Sequence, residues 1–185
     1  MHLLTRQCQH LADDAFSKQQ DADHKDDPDH YRHGDISGRK IVMTGGEGAV
    51  TATGADNGSV FIGGTNGGNY LAASGNSTLI GSGTSNTIVG GAGDEMLAAS
   101  TVNGASNSFL FNSQSGNAAT TVTGFGASGT NDSISLRSGL SLSSAADTSV
   151  NGTLLTLNDG SRIFLSQFTG SIHVSAAITG TILTP

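Results

Sequence analysis

The chain has 185 residues with 27 Gly, 2 Pro, 1 Cys, no Trp and a formal net charge of −7. Only 35% of residues are hydrophobic and 5% aromatic, so a thick Leu/Phe-packed interior is poorly supplied. The single Cys8 excludes a disulfide framework and a multi-cysteine zinc site, the glycines lack the three-residue period of collagen, and the scarce Lys and Arg give no basic stripe for nucleic acid. No apolar run is long enough to span a bilayer, and Met1 to Gln20 reads as no secretory leader.

Residues 1–40 carry 8 of the 15 acidic residues, 6 of the 8 basic ones and 5 of the 6 His, but 2 of the 27 Gly. Leu4, Cys8, Leu11 and Ala15 fall on one face of a short helix. The Asp/His-rich text that follows reads as a solvated, disordered linker. His24, His30 and His33 with Asp26, Asp27 and Asp29 have metal-binding side chains, yet their spacing matches no structural metal site. The composition step near residue 40 marks a boundary, and residues 41–185 hold just 9 charged side chains.

From Gly54 the chain divides into nine-residue units: GADNGSVFI, GGTNGGNYL, AASGNSTLI, GSGTSNTIV and GGAGDEMLA. Their eighth positions are Phe61, Tyr70, Leu79, Ile88 and Leu97, and upstream the same slot at residue 52 holds Ala. Neither a helix nor an ordinary amphipathic strand has this period; a tight turn followed by a three-residue strand does, with the large side chain pointing inward. Gly63, Gly64, Gly81, Gly90, Gly91 and Gly93 are then turn residues. Farther on, Leu154–Leu157 and Arg162–Leu165 flank Asn158-Asp159-Gly160-Ser161 as a hairpin, and Ile172, Val174 and Ala176 alternate as a further strand.

The nine-residue pattern resembles the hemolysin-type, repeats-in-toxin nonapeptide Gly-Gly-x-Gly-x-Asp-x-U-x, with Gly90-Gly91-Ala92-Gly93-Asp94-Glu95-Met96-Leu97 the nearest copy. The resemblance implies an all-β chain: a parallel β-roll over residues 41–112, two nonapeptides per coil, followed by a β-strand cap over 113–185. Gly104 to Phe111 is similar to the last repeat of such rolls leading into a longer strand, and Val122 to Phe125 and Asn131 to Leu136 to the segment that caps them. It further implies calcium between turns, export by a type I secretion machinery without a cleaved leader, and an extracellular or cell-surface location. Residues 163–185 nevertheless contain no Asp or Glu, whereas such export signals usually carry some acidic character.

The family's calcium-binding Asp slot is filled here by Ser59, Gly68, Ser77, Asn86 and Glu95. One calcium site is therefore expected, at Gly91, Gly93, Asp94 and Glu95, because affinity for a hard cation falls with the number of carboxylates. The alternative is that Asn and Ser side chains close the turns themselves as uncharged ladders.

Catalytic signatures of roll-bearing enzymes are missing: there is no His-Glu-x-x-His and no Gly-x-Ser-x-Gly. His173 sits alone on an expected strand, and Asp132, Asp147 and Asp159 stand in turn-like contexts with no paired carboxylate. The sequence reads as a non-enzymatic, adhesin-like or toxin-like structural module with a cell-surface or glycan ligand. The alternatives are an ice- or carbohydrate-binding solenoid, with Thr78, Thr87 and Ser106 as candidate contacts, or the C-terminal fragment of a larger secreted enzyme.

Overall fold

The computed structural model describes residues 41–54, 58–73, 75–112, 118–137, 139–148, 151–177 and 180–185. The expected helix at Leu4–Ala15 and the His/Asp-rich segment lie outside them. Among the described residues every regular element is a β-strand, and no helix is long and apolar enough to cross a membrane.

The first ten strands come in pairs, one pair per coil: β1 (Val42–Thr44) and β2 (Thr51–Gly54), β3 (Val60–Ile62) and β4 (Asn69–Ala73), β5 (Thr78–Ile80) and β6 (Ser85–Gly90), β7 (Met96–Ala98) and β8 (Ser106–Phe111), β9 (Ala119–Thr123) and β10 (Asn131–Leu136). Odd strands stack in parallel in one sheet and even strands in parallel in the other. The chain is therefore a β-solenoid, and two nonapeptides make one coil. Phe61, Leu79 and Leu97 stand opposite one another, 18 residues apart, and are fully buried.

Parallel pairing continues through β9 and β10, beyond the boundary expected at residue 112. Val122–Phe125 and Asn131–Leu136, which the sequence suggests as cap, thus include the last coil. In the first sheet one more strand joins β9 in parallel, and antiparallel pairs then close both sheets. The first sheet ends in β13 (Arg162–Ser166), β12 (Gly152–Leu157) and β11 (Leu142–Thr148), the second in β15 (Gly180–Thr184) and β14 (His173–Ala177). The expected hairpin around Asn158–Ser161 joins β12 to β13, and β14 is the expected further strand, with β15 following it unforeseen.

The second sheet corrects the register. Tyr70 does not face the core; it is 40% exposed, and Leu71 takes the buried position, opposite Ala52 on one side and Ile88 on the other. Side chains alternate faces along a strand, so a one-residue shift exchanges inside for outside. The first sheet keeps an 18-residue step from Met43 through Phe61 and Leu79 to Leu97 before lengthening to Val122, whereas in the second the buried residues Ala52, Leu71, Ile88, Phe109 and Ile134 follow at uneven intervals throughout.

Along β3, β5 and β7 the interior holds one large side chain per strand, Phe61, Leu79 and Leu97, whereas β8 and β10 each bury two, Phe109 with Phe111 and Ile134 with Leu136. It widens at the capped end, where Phe125 packs edge-on against Phe168 with ring centroids 5.4 Å apart. Leu79→Ala should cost about 3 kcal/mol of unfolding free energy through lost burial and a cavity, and Tyr70→Ala less than about 1 kcal/mol. Urea denaturation of the two variants checks this; equal losses would contradict the register.

Candidate functional site

Each coil turns two corners, and polar side chains line the inside of both. At the corner between the first and second sheets, Asn69, Asn86, Asn107 and Asp132 stand in register one above another, all buried. Asn69 Nδ2 donates to Asn86 Oδ1 at 2.8 Å, Asn86 Nδ2 to Asn107 Oδ1 at 2.9 Å, and Asn107 Nδ2 to Asp132 Oδ1 at 2.7 Å. Each carbonyl oxygen also takes a backbone N–H of its own corner: Gly64 on Asn69, Ser82 on Asn86, Ser100 on Asn107. The column begins at the Val50 N–H, donated to Asn69 Oδ1 at 3.0 Å, and ends at Asp132, whose second oxygen accepts from Gly126 N and Thr130 Oγ1.

Glycines make room for these side chains. A Cβ on Gly63 would lie 2.6 Å from Asn69 Cγ, and one on Gly81 would lie 2.9 Å from Asn86 Cγ. Of the glycines that mark turns in the sequence, Gly63, Gly64, Gly81, Gly90 and Gly93 serve close approach, not positive φ. The left-handed conformation belongs to others, such as Gly67 at φ +80°, whose Cβ would meet the backbone of the next coil.

Ser59, Ser77, Glu95 and Thr120 occupy the opposite corner, also buried. Ser59 Oγ accepts the Ile41 N–H of the preceding coil. Glu95 Oε1 accepts the Gly91 N–H at 2.6 Å, closing the turn between β6 and β7, while Oε2 is buried with no hydrogen-bond partner near Gly90 and the Phe111 ring. Burial raises the Glu95 pKa from 4.5 to about 7, opposed by the Gly91 N–H and the Thr120 hydroxyl and reinforced by the charge of Asp94.

Gly91, Gly93, Asp94 and Glu95 thus share one turn, with the carboxylates turned to different tasks. Asp94 is exposed, and its Oδ1 accepts the Ala119 N–H of the next coil at 2.9 Å, while its own N–H donates to Asn76 Oδ1. What faces Glu95 from Gly91 is an N–H, which repels a cation. Among the described residues no three His, Cys, Asp or Glu side chains gather as a metal site. The four residues fit a calcium shell poorly.

The sixth-slot reading located Ser59, Ser77, Asn86 and Glu95 at inner corners. It missed Asn69, which displaces Gly68 by one residue, and Asn107 and Asp132, which lie beyond the regular repeats. Asp159 closes the β12–β13 hairpin through the Ser161 N–H at 2.9 Å. His173 is exposed on β14 and Asp147 lies on β11, so the carboxylates and histidine of the sequence are dispersed over separate elements.

Of the ice- or carbohydrate-binding candidates, Thr87 and Ser106 project from the outer face of the second sheet. Thr87 lies in a register row with Thr51, Tyr70, Ser108 and Ser133, and Ser106 beside it between Ser85 and Asn131. Thr78 stands apart on the first sheet, between Val60 and Met96. The class defined by fold and corners is a parallel β-solenoid closed by side-chain ladders. Comparison with protein-family models, with curated proteins and with solved structures gives no match to this chain.

Two outcomes are expected. Asn86→Ala, which strips an acceptor from Ser82 N and Asn69 Nδ2, should destabilise by about 3 kcal/mol, and exposed Asn131→Ala by no more than about 0.5 kcal/mol, in chemical denaturation. Glu95 holds its proton more tightly folded than unfolded, so its contribution is fully present below pH 4.5 and is lost as pH rises through about 7. The loss should be on the order of 3 kcal/mol. The melting temperature of the wild type relative to Glu95→Gln should fall between pH 4.5 and 8; a constant difference would refute the assignment.

Proposed function

We propose that this chain is a non-catalytic β-solenoid module of a secreted or cell-surface protein, a degenerate relative of repeats-in-toxin rolls that presents flat faces to a ligand and holds its coils without calcium. The observation that carries the reading is the Asn69–Asn86–Asn107–Asp132 column. It fills the inside of one corner with direct hydrogen bonds, satisfying buried backbone groups that a bound cation and its carboxylates would otherwise organise. The opposite corner uses Ser, Thr and one Glu in the same way. A calcium ion at Gly91, Gly93, Asp94 and Glu95 would have to displace the Gly91–Glu95 and Ala119–Asp94 bonds, so binding there is weak and adds little to the fold.

The non-catalytic part rests on the sequence, which has no His-Glu-x-x-His and no Gly-x-Ser-x-Gly. Export by a type I machinery belongs to the same reading and rests on the nonapeptide resemblance alone.

Circular dichroism and thermal melting in excess chelator and in millimolar calcium test the proposal. β-content and melting temperature should be the same in both. A chain that unfolds in chelator would overturn calcium independence, and hydrolytic turnover by the purified chain would overturn the non-catalytic assignment.

A further inference from the structure

We propose that the outer face of the second sheet binds a neutral, extended polysaccharide laid along the solenoid axis. This deepens the reading of the chain as a ligand-presenting module and rests on it. Thr51, Tyr70, Thr87, Ser108 and Ser133 pair in register across five successive strands. They point outward because their strand neighbours Ala52, Leu71, Ile88, Phe109 and Ile134 are buried. The row is therefore a line of hydroxyls spaced by one strand separation, about 4.8 Å. That is close to the repeat of a linear pyranose chain, so successive sugar units meet equivalent donors and acceptors.

Tyr70 gives the row its anchor. It is the one aromatic side chain in the line and is 40% exposed, although Leu71 beside it is fully buried. An exposed aromatic ring stacks on the C–H face of a sugar while its hydroxyl remains available for hydrogen bonding.

Charge selects the ligand. The chain carries −7 overall, yet β2, β4, β6 and β8 contain no Asp, Glu, Lys, Arg or His, and the only one on β10, Asp132, is buried in the corner column. The cationic groups of this sheet, exposed Arg137 just after β10 and exposed His173 on β14, lie at its capped end, away from Tyr70 on β4; anionic glycans and nucleic acids need cations along the row itself, and a cationic partner needs carboxylates. A neutral polymer needs only hydroxyl partners and apolar contact. The first sheet supplies an internal control, since Met96 occupies the corresponding outward position there and is exposed without a hydroxyl.

The test is affinity electrophoresis of the full chain in gels containing neutral linear glucan, mannan or xylan, and in gels containing polygalacturonate. At least one neutral polymer should retard the wild type and polygalacturonate should not. Tyr70→Ala and Ser108→Ala should each weaken the retardation about tenfold with unchanged melting temperature, and Met96→Ala should leave it intact. No retardation by any neutral polymer, equal retardation by polygalacturonate, or retardation that survives Tyr70→Ala would overturn the proposal. So would ice-crystal shaping that survives Tyr70→Ala, which would assign the face to ice. These outcomes leave the chelator result untouched, so failure of the ligand and failure of the calcium-independent module can be told apart.

Discussion

The rest of the structure depends on a directed chain of side-chain amides at one corner of the coil. An asparagine carries both a donor and an acceptor on one short planar group, so it can accept from the coil behind, donate to the coil ahead and still take the N–H of its own turn. Repeating that residue gives the column a polarity, with every Nδ2 pointing toward the capped end. A directed chain must end on a group that only accepts, and Asp132 does so with both oxygens. At the other end the acceptor Asn69 Oδ1 is satisfied by a backbone N–H, that of Val50. The amides explain the glycines beside them, since Gly63 and Gly81 leave the volume that Asn69 and Asn86 occupy.

The opposite corner follows the same rule less completely. Hydroxyls at Ser59, Ser77 and Thr120 are small enough to sit inside the turn, but Glu95 places a carboxylate where one oxygen finds no donor. That oxygen lies beside Gly90 and Phe111, in surroundings that stabilise the neutral acid over the anion. The turn carrying the fullest copy of the nonapeptide is thus also the least satisfied polar position at that corner.

What could be read from the sequence follows the same division. In the first sheet the coil length is constant as far as Leu97, so Phe61, Leu79 and Leu97 announce themselves by spacing. The hairpin at Asn158–Ser161 is legible because its signal is local. In the second sheet, the two residues Tyr70 and Leu71 are both large and adjacent, and spacing alone selects the wrong one. What decides between them is Asn69: its side chain is held inside the corner by Gly64, Val50 and Asn86, and the alternation of the strand then turns Tyr70 out and Leu71 in. The role of Asp132, which stands out in the sequence only as a turn-like carboxylate, is hidden for a related reason. Its partner Asn107 is a whole coil away, across a longer turn than any of the nonapeptides prescribes.

Closing the corners with side chains also separates stability from surface chemistry. The inward positions are committed to one or two apolar residues per strand, and the corners to Asn, Ser, Thr, Glu and Asp. The outward positions carry neither duty, so the two sheets are free to differ there. They do: Val60, Thr78 and Met96 stand in one outward row of the first sheet, and Tyr70, Thr87 and Ser108 in one of the second. Packing does not require this difference, because both sheets bury the same kind of core and pair with the same parallel geometry. The hydroxyl-bearing row on one face is therefore set by the residues placed at outward positions and not by what the packing of the coils demands.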